Sequence, residues 1–246
     1  MSKKLFITTS WDDGHPLDKK LARLLVKYKI EATFYVPLQN KENQVLEESE
    51  IKEISKNFEI GGHTYNHSIL TELSDEEIEF ELSKSKESLK KITGKEIISF
   101  CYPKGQYNKK IMKKVEQTGY KGGRTAEIFR INFDNPYELH TTVQAVDRIL
   151  ASKGKGLLKT SNLGLTKKLL SGGNLFKNWN LIAKKTLDYV LENGGIWHLW
   201  GHSWEIERNN DWEKLEDLLQ LVHEKGRTNN ASFVTNGEIF TKISVN

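Results

Sequence analysis

The chain has 246 residues, with 37 Lys or Arg, 33 Asp or Glu and a net charge of +4. Its hydrophobic and charged fractions, 37% and 28%, are typical of a soluble globular protein, and the nearly balanced charge gives no reason to expect a nucleic-acid partner. A single cysteine, Cys101, excludes an intramolecular disulfide bond and a cysteine-based zinc site. The apolar run near the N-terminus is too short for a signal-peptide core or a membrane span, so we expect a cytoplasmic protein with no transmembrane segment.

Segments typical of strands and of helices alternate along the chain. Short apolar or β-branched runs predict strands at residues 5–9, 32–36, 58–60, 97–101, 120–124, 195–200 and 231–234. Apolar side chains at helical spacing predict helices at residues 17–28, within 41–57, and at 74–92, 108–117, 179–192, 212–225 and 238–243. The alternation predicts an α/β protein with a mainly parallel sheet or barrel.

Residues 125–178 interrupt this alternation with a stretch rich in glycine and lysine. We therefore expect one domain over residues 1–246 that carries an irregular insertion at about 125–178. Runs of charge are usually exposed, which favours a solvated surface for the lysines. A basic lid over an anionic substrate is the alternative interpretation.

Two adjacent carboxylates, Asp12 and Asp13, follow the first predicted strand. Strand ends are where α/β folds collect their catalytic groups. Two neighbouring acids are both ionised only at a cost, unless a cation lies beside them or one of them takes a different role. The pair indicates either a surface turn or a metal ligand next to a general base.

His63 and His67 follow the third predicted strand and are separated by four positions. On a helical turn this spacing puts both rings on one face, where they could bind one divalent metal together with a carboxylate. Capping or core histidines are the alternative. Two more polar clusters, Tyr102–Gly105 and His202, also follow predicted strands. In a parallel barrel all four clusters would meet at one rim.

These motifs resemble those of the polysaccharide deacetylase family, the NodB-homology domain of carbohydrate esterase family 4. Thr9–Gly14 is similar to the family's Thr-Phe-Asp-Asp-Gly motif, and His63–His67 matches its His-Ser/Thr-x-x-His spacing. Phe100–Asn108 resembles the third motif, and Trp197–His202 resembles the late strand that ends in histidine. The resemblance extends over residues 5–124 and 179–240. It implies a distorted (β/α)7-type barrel in a single domain.

The resemblance also implies roles for individual residues. Asp13, His63 and His67 would bind a divalent metal, which we expect to be zinc, with cobalt or nickel as alternatives. Asp12 would be the general base toward an activated water, and His202 would be the general acid that protonates the leaving amine.

The third motif implies groups that bind the oxyanion or the substrate. The family supplies a backbone N–H to the oxyanion there, and Lys104 occupies the matching position, next to Tyr102. Trp200 and Trp204 flank His202 and would either stack on a sugar ring or pack in the core. His198 would be a satisfied interior histidine, the favoured interpretation, or else a fifth ligand or a partner of His202.

The chain departs from the family pattern at two positions. Cys101, which we expect to be a small buried residue, stands where the third motif has an arginine that orients the base. Arg124 and Arg148 are candidates to replace it, and a surface salt bridge is favoured for Arg148. The fourth motif, an Asp with a Trp, has no clear match, and Asp147 is a weak candidate.

The sequence thus predicts a metal-dependent hydrolase that removes an N-acetyl group from a carbohydrate or a sugar conjugate. One alternative is an amidohydrolase of the same fold that acts on a non-sugar or cyclic amide. The other is a catalytically silent glycan-binding module. The particular sugar is not specified by these residues.

Overall fold

The structure, a computed structural model, describes residues 4–147, 164–165 and 178–242. The strands are β1 (Leu5–Asp12), β2 (Ala32–Val36), β3 (Glu59–Gly62), β4 (Ser99–Cys101), β5 (Gly122–Arg124), β6 (Val143–Gln144), β7 (Gly195–Gly201) and β8 (Ser232–Phe233). The helices are α1 (Asp18–Tyr28), α2 (Glu48–Ile54), α3 (Asp75–Thr93), α4 (Lys109–Gln117), α5 (Trp179–Asn193), α6 (Ser203–Arg208), α7 (Trp212–Thr228) and α8 (Asn236–Lys242). Short 3-10 turns cover Leu70–Glu72, Pro103–Gly105 and Pro136–Glu138.

The strands form one curled parallel sheet. Their order is β5-β4-β3-β2-β1-β7-β6, and β8 pairs with the beginning of β1. Every strand pair in the described part of the chain is parallel, so the carboxyl ends of the strands lie at one rim. The α/β prediction is confirmed, and the sheet curls into a half-barrel of the predicted type.

The two faces of the sheet differ in chemistry because side chains alternate along each strand. The face turned toward the helices is apolar and fully buried, with Trp11, Phe34 and Phe100 among its members. The concave face is polar. There Thr33 and Ser99 donate hydrogen bonds to the carboxylate of Glu59.

The predicted elements agree with the structure except in a few places. Only Glu48–Ile54 of the expected helix within 41–57 is helical, and the sequence signals missed β6 and α6. Within the predicted insertion, the described residues 125–147 carry one 3-10 turn and β6. The lysines of this stretch and Arg148 lie outside the described residues, so the insertion and the extent of the domain stay predictions. Among the described helices, none has the length and apolar character needed to span a bilayer.

His198 lies on the concave face and is fully buried. One ring nitrogen, Nε2, is 2.8 Å from the hydroxyl oxygen of Ser10, and Nδ1 is 3.3 Å from the carbonyl oxygen of His140. These contacts agree with a satisfied interior histidine. Burial, helped by the charge of Arg124, lowers the pKa of His198 to about 3, so the ring is neutral.

We expect His198 to make the protein sensitive to acid. An unfolded histidine has a pKa of about 6.5, so between pH 6.5 and 3 the unfolded chain binds a proton that the folded chain does not. Stability should therefore fall as the pH falls through this window, by about 2 kcal/mol at pH 5 from this residue alone. Urea unfolding between pH 8 and 5 should show that the unfolding free energy of the His198→Gln variant decreases less with falling pH than that of the wild type. Equal slopes would contradict the assignment.

Candidate active site

The side chains that follow four strands surround one cavity at the carboxyl rim of the sheet. Its volume is about 470 Å³. It is lined by Asp12, Asp13, Glu42, Asn43, His63, His67, Tyr102, Lys104, Gly105, Arg124, Ala126, Trp200, His202, Trp204 and Arg208. All nine residues predicted for the site from the sequence therefore contribute to this cavity.

Asp13 lies between two histidines and forms a group that could hold a metal ion. Its Oδ1 atom is 3.1 Å from Nε2 of His67 and 3.7 Å from Nε2 of His63. The Nδ1 atom of His63 donates to the carbonyl oxygen of Cys101 at 2.9 Å, which directs Nε2 toward Asp13. One oxygen and two imidazole nitrogens at this spacing form a typical zinc-binding set.

The ionisation of this group is strongly perturbed. Burial opposes the charge of Asp13, but hydrogen bonds with His63 and His67 outweigh it and hold the pKa of Asp13 far below its usual value. Burial also opposes the charge of His63, but its interactions with Cys101 and Asp13 outweigh burial and raise the pKa of His63 well above its usual value. A buried anion facing imidazoles is a favourable environment for a cation.

The two histidines converge through an irregular loop and not through the helical turn that their spacing suggested. Thr64 and His67 both have positive φ angles, 60° and 58°. The carboxylate of Glu81, on α3, accepts the backbone N–H groups of Tyr65 and Asn66 at 2.7 and 2.9 Å. The buried carboxylate thus satisfies two backbone N–H groups of the loop, and these hydrogen bonds fix the loop conformation.

The two glycines before His63 have a packing role. A Cβ on Gly61 would lie 2.5 Å from the ring of Tyr35, and one on Gly62 would lie 2.3 Å from the hydroxyl oxygen of Tyr120. The strand that delivers His63 can therefore approach both rings only without side chains at these positions.

Asp12 is paired with a buried arginine from another strand. The guanidinium Nη2 of Arg124 donates to Oδ1 of Asp12, and both side chains are at most 5% exposed. Arg124 also lies 4.6 Å from the ring of Trp200. Arg124 and Cys101 are direct partners in the β4–β5 pairing, so the arginine approaches Asp12 from the strand next to Cys101. Cys101 is fully buried, and burial raises the pKa of its thiol.

A second group that could hold a metal consists of Asp12, His63 and Cys101. The positive charge of Arg124 on Asp12 disfavours a cation there, because the carboxylate is already neutralised. The set of Asp13, His63 and His67 is the better metal site.

His202 has a carboxylate partner that the sequence analysis missed. Its Nδ1 atom is 2.8 Å from Oε2 of Glu205, which is only 7% exposed, and Nε2 faces Asp13 at 3.9 Å. Arg208 contacts the other oxygen of Glu205 at 3.3 Å. Burial lowers the pKa of His202, but the bond to Glu205 and the charge of Asp13 more than compensate and raise it. The sequence feature that could have indicated this partner is an acidic residue three positions after His202, in the first turn of a helix.

The tryptophans beside His202 differ in role. Trp200 is 5% exposed and packs on Arg124. Trp204 lines the cavity, lies 5.2 Å from the ring of His202, and donates its Nε1–H to Oδ2 of Asp13 at 3.0 Å.

Two residues of the third motif, Lys104 and Tyr102, have different contacts in the cavity. The ammonium group of Lys104 pairs with Glu42 at the cavity mouth, and the backbone of Lys104 has a positive φ of 55°. The hydroxyl group of Tyr102 donates to the carbonyl oxygen of Tyr137 at 2.9 Å, so it serves packing.

Asp147, the candidate for the fourth motif, lies elsewhere. Its Oδ1 atom accepts the backbone N–H of Trp179 at 2.9 Å, at the first residue of α5. The carboxylate at His202 is Glu205, because α6 begins directly after the histidine and directs Glu205 back to it.

Comparisons with known proteins identify relatives of this chain. Residues 2–123 match the sequence model of the family described as polysaccharide deacetylase. The chain belongs to the polysaccharide deacetylase family. It is 32% identical over 118 residues to the peptidoglycan-N-acetylglucosamine deacetylase of Bacillus cereus, a match that covers 47% of this chain and 54% of that protein.

Two further members of this family are similar to the chain. The presumed polysaccharide deacetylase YxkH of Bacillus subtilis is 29% identical over 122 residues, which are 49% of this chain and 41% of that protein. The chain thus spans about half the length of the curated relatives it matches. A presumed polysaccharide deacetylase from Mycobacterium smegmatis superposes with a TM-score of 0.71 at 15% identity, over 99% of this chain and 91% of that one. The similarity to the Mycobacterium smegmatis structure shows the fold of this chain.

We expect the Asp12–Arg124 pair to dominate the local stability of this site. Arg124→Met leaves a buried carboxylate without a partner and should cost about 3–5 kcal/mol of unfolding free energy. The double variant Asp12→Asn/Arg124→Met removes the unpaired charge and should be more stable than Arg124→Met alone. Urea unfolding without added metal measures both.

The exposed pair of Lys110 and Asp75 provides a control, since Lys110→Met should leave the unfolding free energy almost unchanged. Additive losses from Asp12→Asn and Arg124→Met would contradict a direct coupling of the two residues.

Proposed function

We propose that this chain is a metal-dependent carbohydrate N-deacetylase that releases acetate from an N-acetylated amino sugar. The observation that carries the proposal is the arrangement of Asp13, His63 and His67 in one cavity with two further titratable groups. These two groups, Asp12 and His202, line the same cavity beside this set. The name of the Bacillus cereus relative supports an N-acetylglucosamine-containing substrate.

The residues fit a divalent ion, which we take to be zinc, with cobalt or nickel as alternatives. Asp13, His63 and His67 would hold it, since their ligand atoms already face one another. Such an ion supplies Lewis-acid chemistry, because it polarises an acyl oxygen and makes water nucleophilic near neutral pH.

The chain's own residues divide the proton transfers. Asp12, paired with Arg124, accepts a proton from the attacking water as a C–O bond forms at the acyl carbon. His202, whose Nδ1 is bound by Glu205, presents Nε2 to the cavity and donates a proton to the nitrogen as the C–N bond breaks. The products are a free amino sugar and acetate. The backbone at Lys104 lies at the rim, where the family's oxyanion donor is expected.

The first test is the release of acetate from N-acetylated chitooligosaccharides with and without added zinc or cobalt. We expect release that depends on metal, and loss of about 10²-fold to 10⁴-fold in kcat in Asp12→Asn, with metal binding retained. Release from a cyclic or non-sugar amide alone would favour the other amidohydrolase. The absence of release from every amide, together with the absence of bound metal, would favour a silent glycan-binding module.

Replacing Glu205 tests more directly whether His202 is the general acid. Glu205→Gln removes the charge that holds His202, so we expect kcat to fall about tenfold to a hundredfold with little change in KM. Glu207→Gln, on the same helix, is the matched control, because Glu207 is exposed and pairs with Lys20. An equal loss in both variants would argue for general damage to α6 and against the proposed role of Glu205.

The cytoplasmic location expected from the sequence stays a prediction. The alternative in which the basic insertion covers an anionic substrate, such as a phosphate-bearing sugar, also stays untested. Comparing turnover of neutral and phosphate-linked N-acetyl sugars would address the second.

A further inference from the structure

Helix α6 contacts Asp13 at the carboxylate oxygen that does not face His63 and His67. The two oxygens of Asp13 have separate surroundings. Oδ1 faces His63 and His67, whereas Oδ2 accepts the indole N–H of Trp204 at 3.0 Å. An indole nitrogen is only a donor, so it occupies a lone pair of Oδ2 and leaves Oδ1 facing the imidazoles.

The indole of Trp204 packs against two other side chains of this region. The ring centroid of His202 lies 5.2 Å from that of Trp204, and the guanidinium of Arg208 lies over the indole, 4.8 Å from its centroid. Arg208 is in turn bound to Glu205, which holds His202. The N–H direction of Trp204 is therefore set by the same turn of helix that orients the proposed acid.

We propose that Trp204 is a positioning residue that restricts Asp13 to binding the metal through a single oxygen, Oδ1. This inference rests on the proposed metal centre. Groups that hydrogen-bond to a ligand orient it and raise its affinity, and their loss typically weakens metal binding tenfold to a hundredfold. Without the N–H, Asp13 can rotate and bind through both oxygens.

The test measures metal binding in the absence of substrate. Zinc affinity is determined by competition with a chromophoric chelator, and the visible spectrum of the Co²⁺-loaded protein reports the coordination. Trp204→Phe keeps a ring in the cavity but lacks the N–H. We expect its zinc affinity to fall about tenfold to a hundredfold and its Co²⁺ absorption to change in intensity.

Trp212→Phe is the matched control. The indole of Trp212 also donates to a carboxylate, that of Glu207, but it lies outside the cavity. This variant should bind zinc like the wild type and give the same Co²⁺ spectrum. Trp204→Gln, which keeps an N–H donor without the ring, should bind zinc more tightly than Trp204→Phe does.

Three results would overturn the inference. They are an unchanged affinity and spectrum in folded Trp204→Phe, a comparable loss in Trp212→Phe, and weaker binding by Trp204→Gln than by Trp204→Phe. These three results can be distinguished from failure of the proposed function, because in that case the wild-type chain itself would bind neither zinc nor cobalt.

Discussion

Two adjacent carboxylates are buried at the end of β1, and the rest of the site is arranged around the cost of burying them. Asp12 and Asp13 are 3% and 4% exposed. Two such groups side by side are stable as anions only if each has compensating charge or hydrogen-bond donors. The chain gives each its own partners. Arg124 neutralises Asp12, while His63, His67 and Trp204 surround Asp13. In the proposed function, this separation would let one acid bind a cation and its neighbour accept a proton.

The curled sheet makes these partners available because it sorts residues by face. Apolar side chains pack the helices against the convex face, and polar ones line the concave face below the cavity. Since all strands are parallel, each polar row ends at the same rim. Because the sheet is curled, a long charged side chain at this rim can also reach a group on a strand that is not its neighbour in the sheet. Arg124 on β5 and Asp12 on β1 meet in this way, although β4, β3 and β2 lie between their strands in the sheet order.

Much of this could be predicted from the sequence. The alternation of strand and helix gave the fold class, and the polar clusters after four strands gave most of the residues that line the cavity. Signals with a local cause were reliable. Ser74 caps α3 through a capping box with Glu77, and Gly94 ends that helix with a left-handed φ of 70°.

Features that depend on distant contacts were not predictable from local patterns. The His63–His67 loop has its shape because Glu81, fourteen or more positions later, binds its backbone, and the four-residue spacing therefore suggested a helical turn wrongly. Strand β6 has only two residues and is defined by its partner β7. Helix α6 has six residues, too short for an apolar period to be visible.

The positions of Arg124 and Glu205 show how a site can keep its chemistry while the residues that support it come from other elements. Cys101 and Arg124 are register neighbours, so a guanidinium from either position could approach the same carboxylate from the same rim. His202 similarly needs an anion at Nδ1, and Glu205 provides it from one helical turn along the chain. Physical requirements of this kind constrain where a charge must lie and leave open which strand or helix supplies it. The supporting residues therefore have to be identified from contacts in space, whereas the residues proposed as metal ligands and as base can be identified from motif spacing.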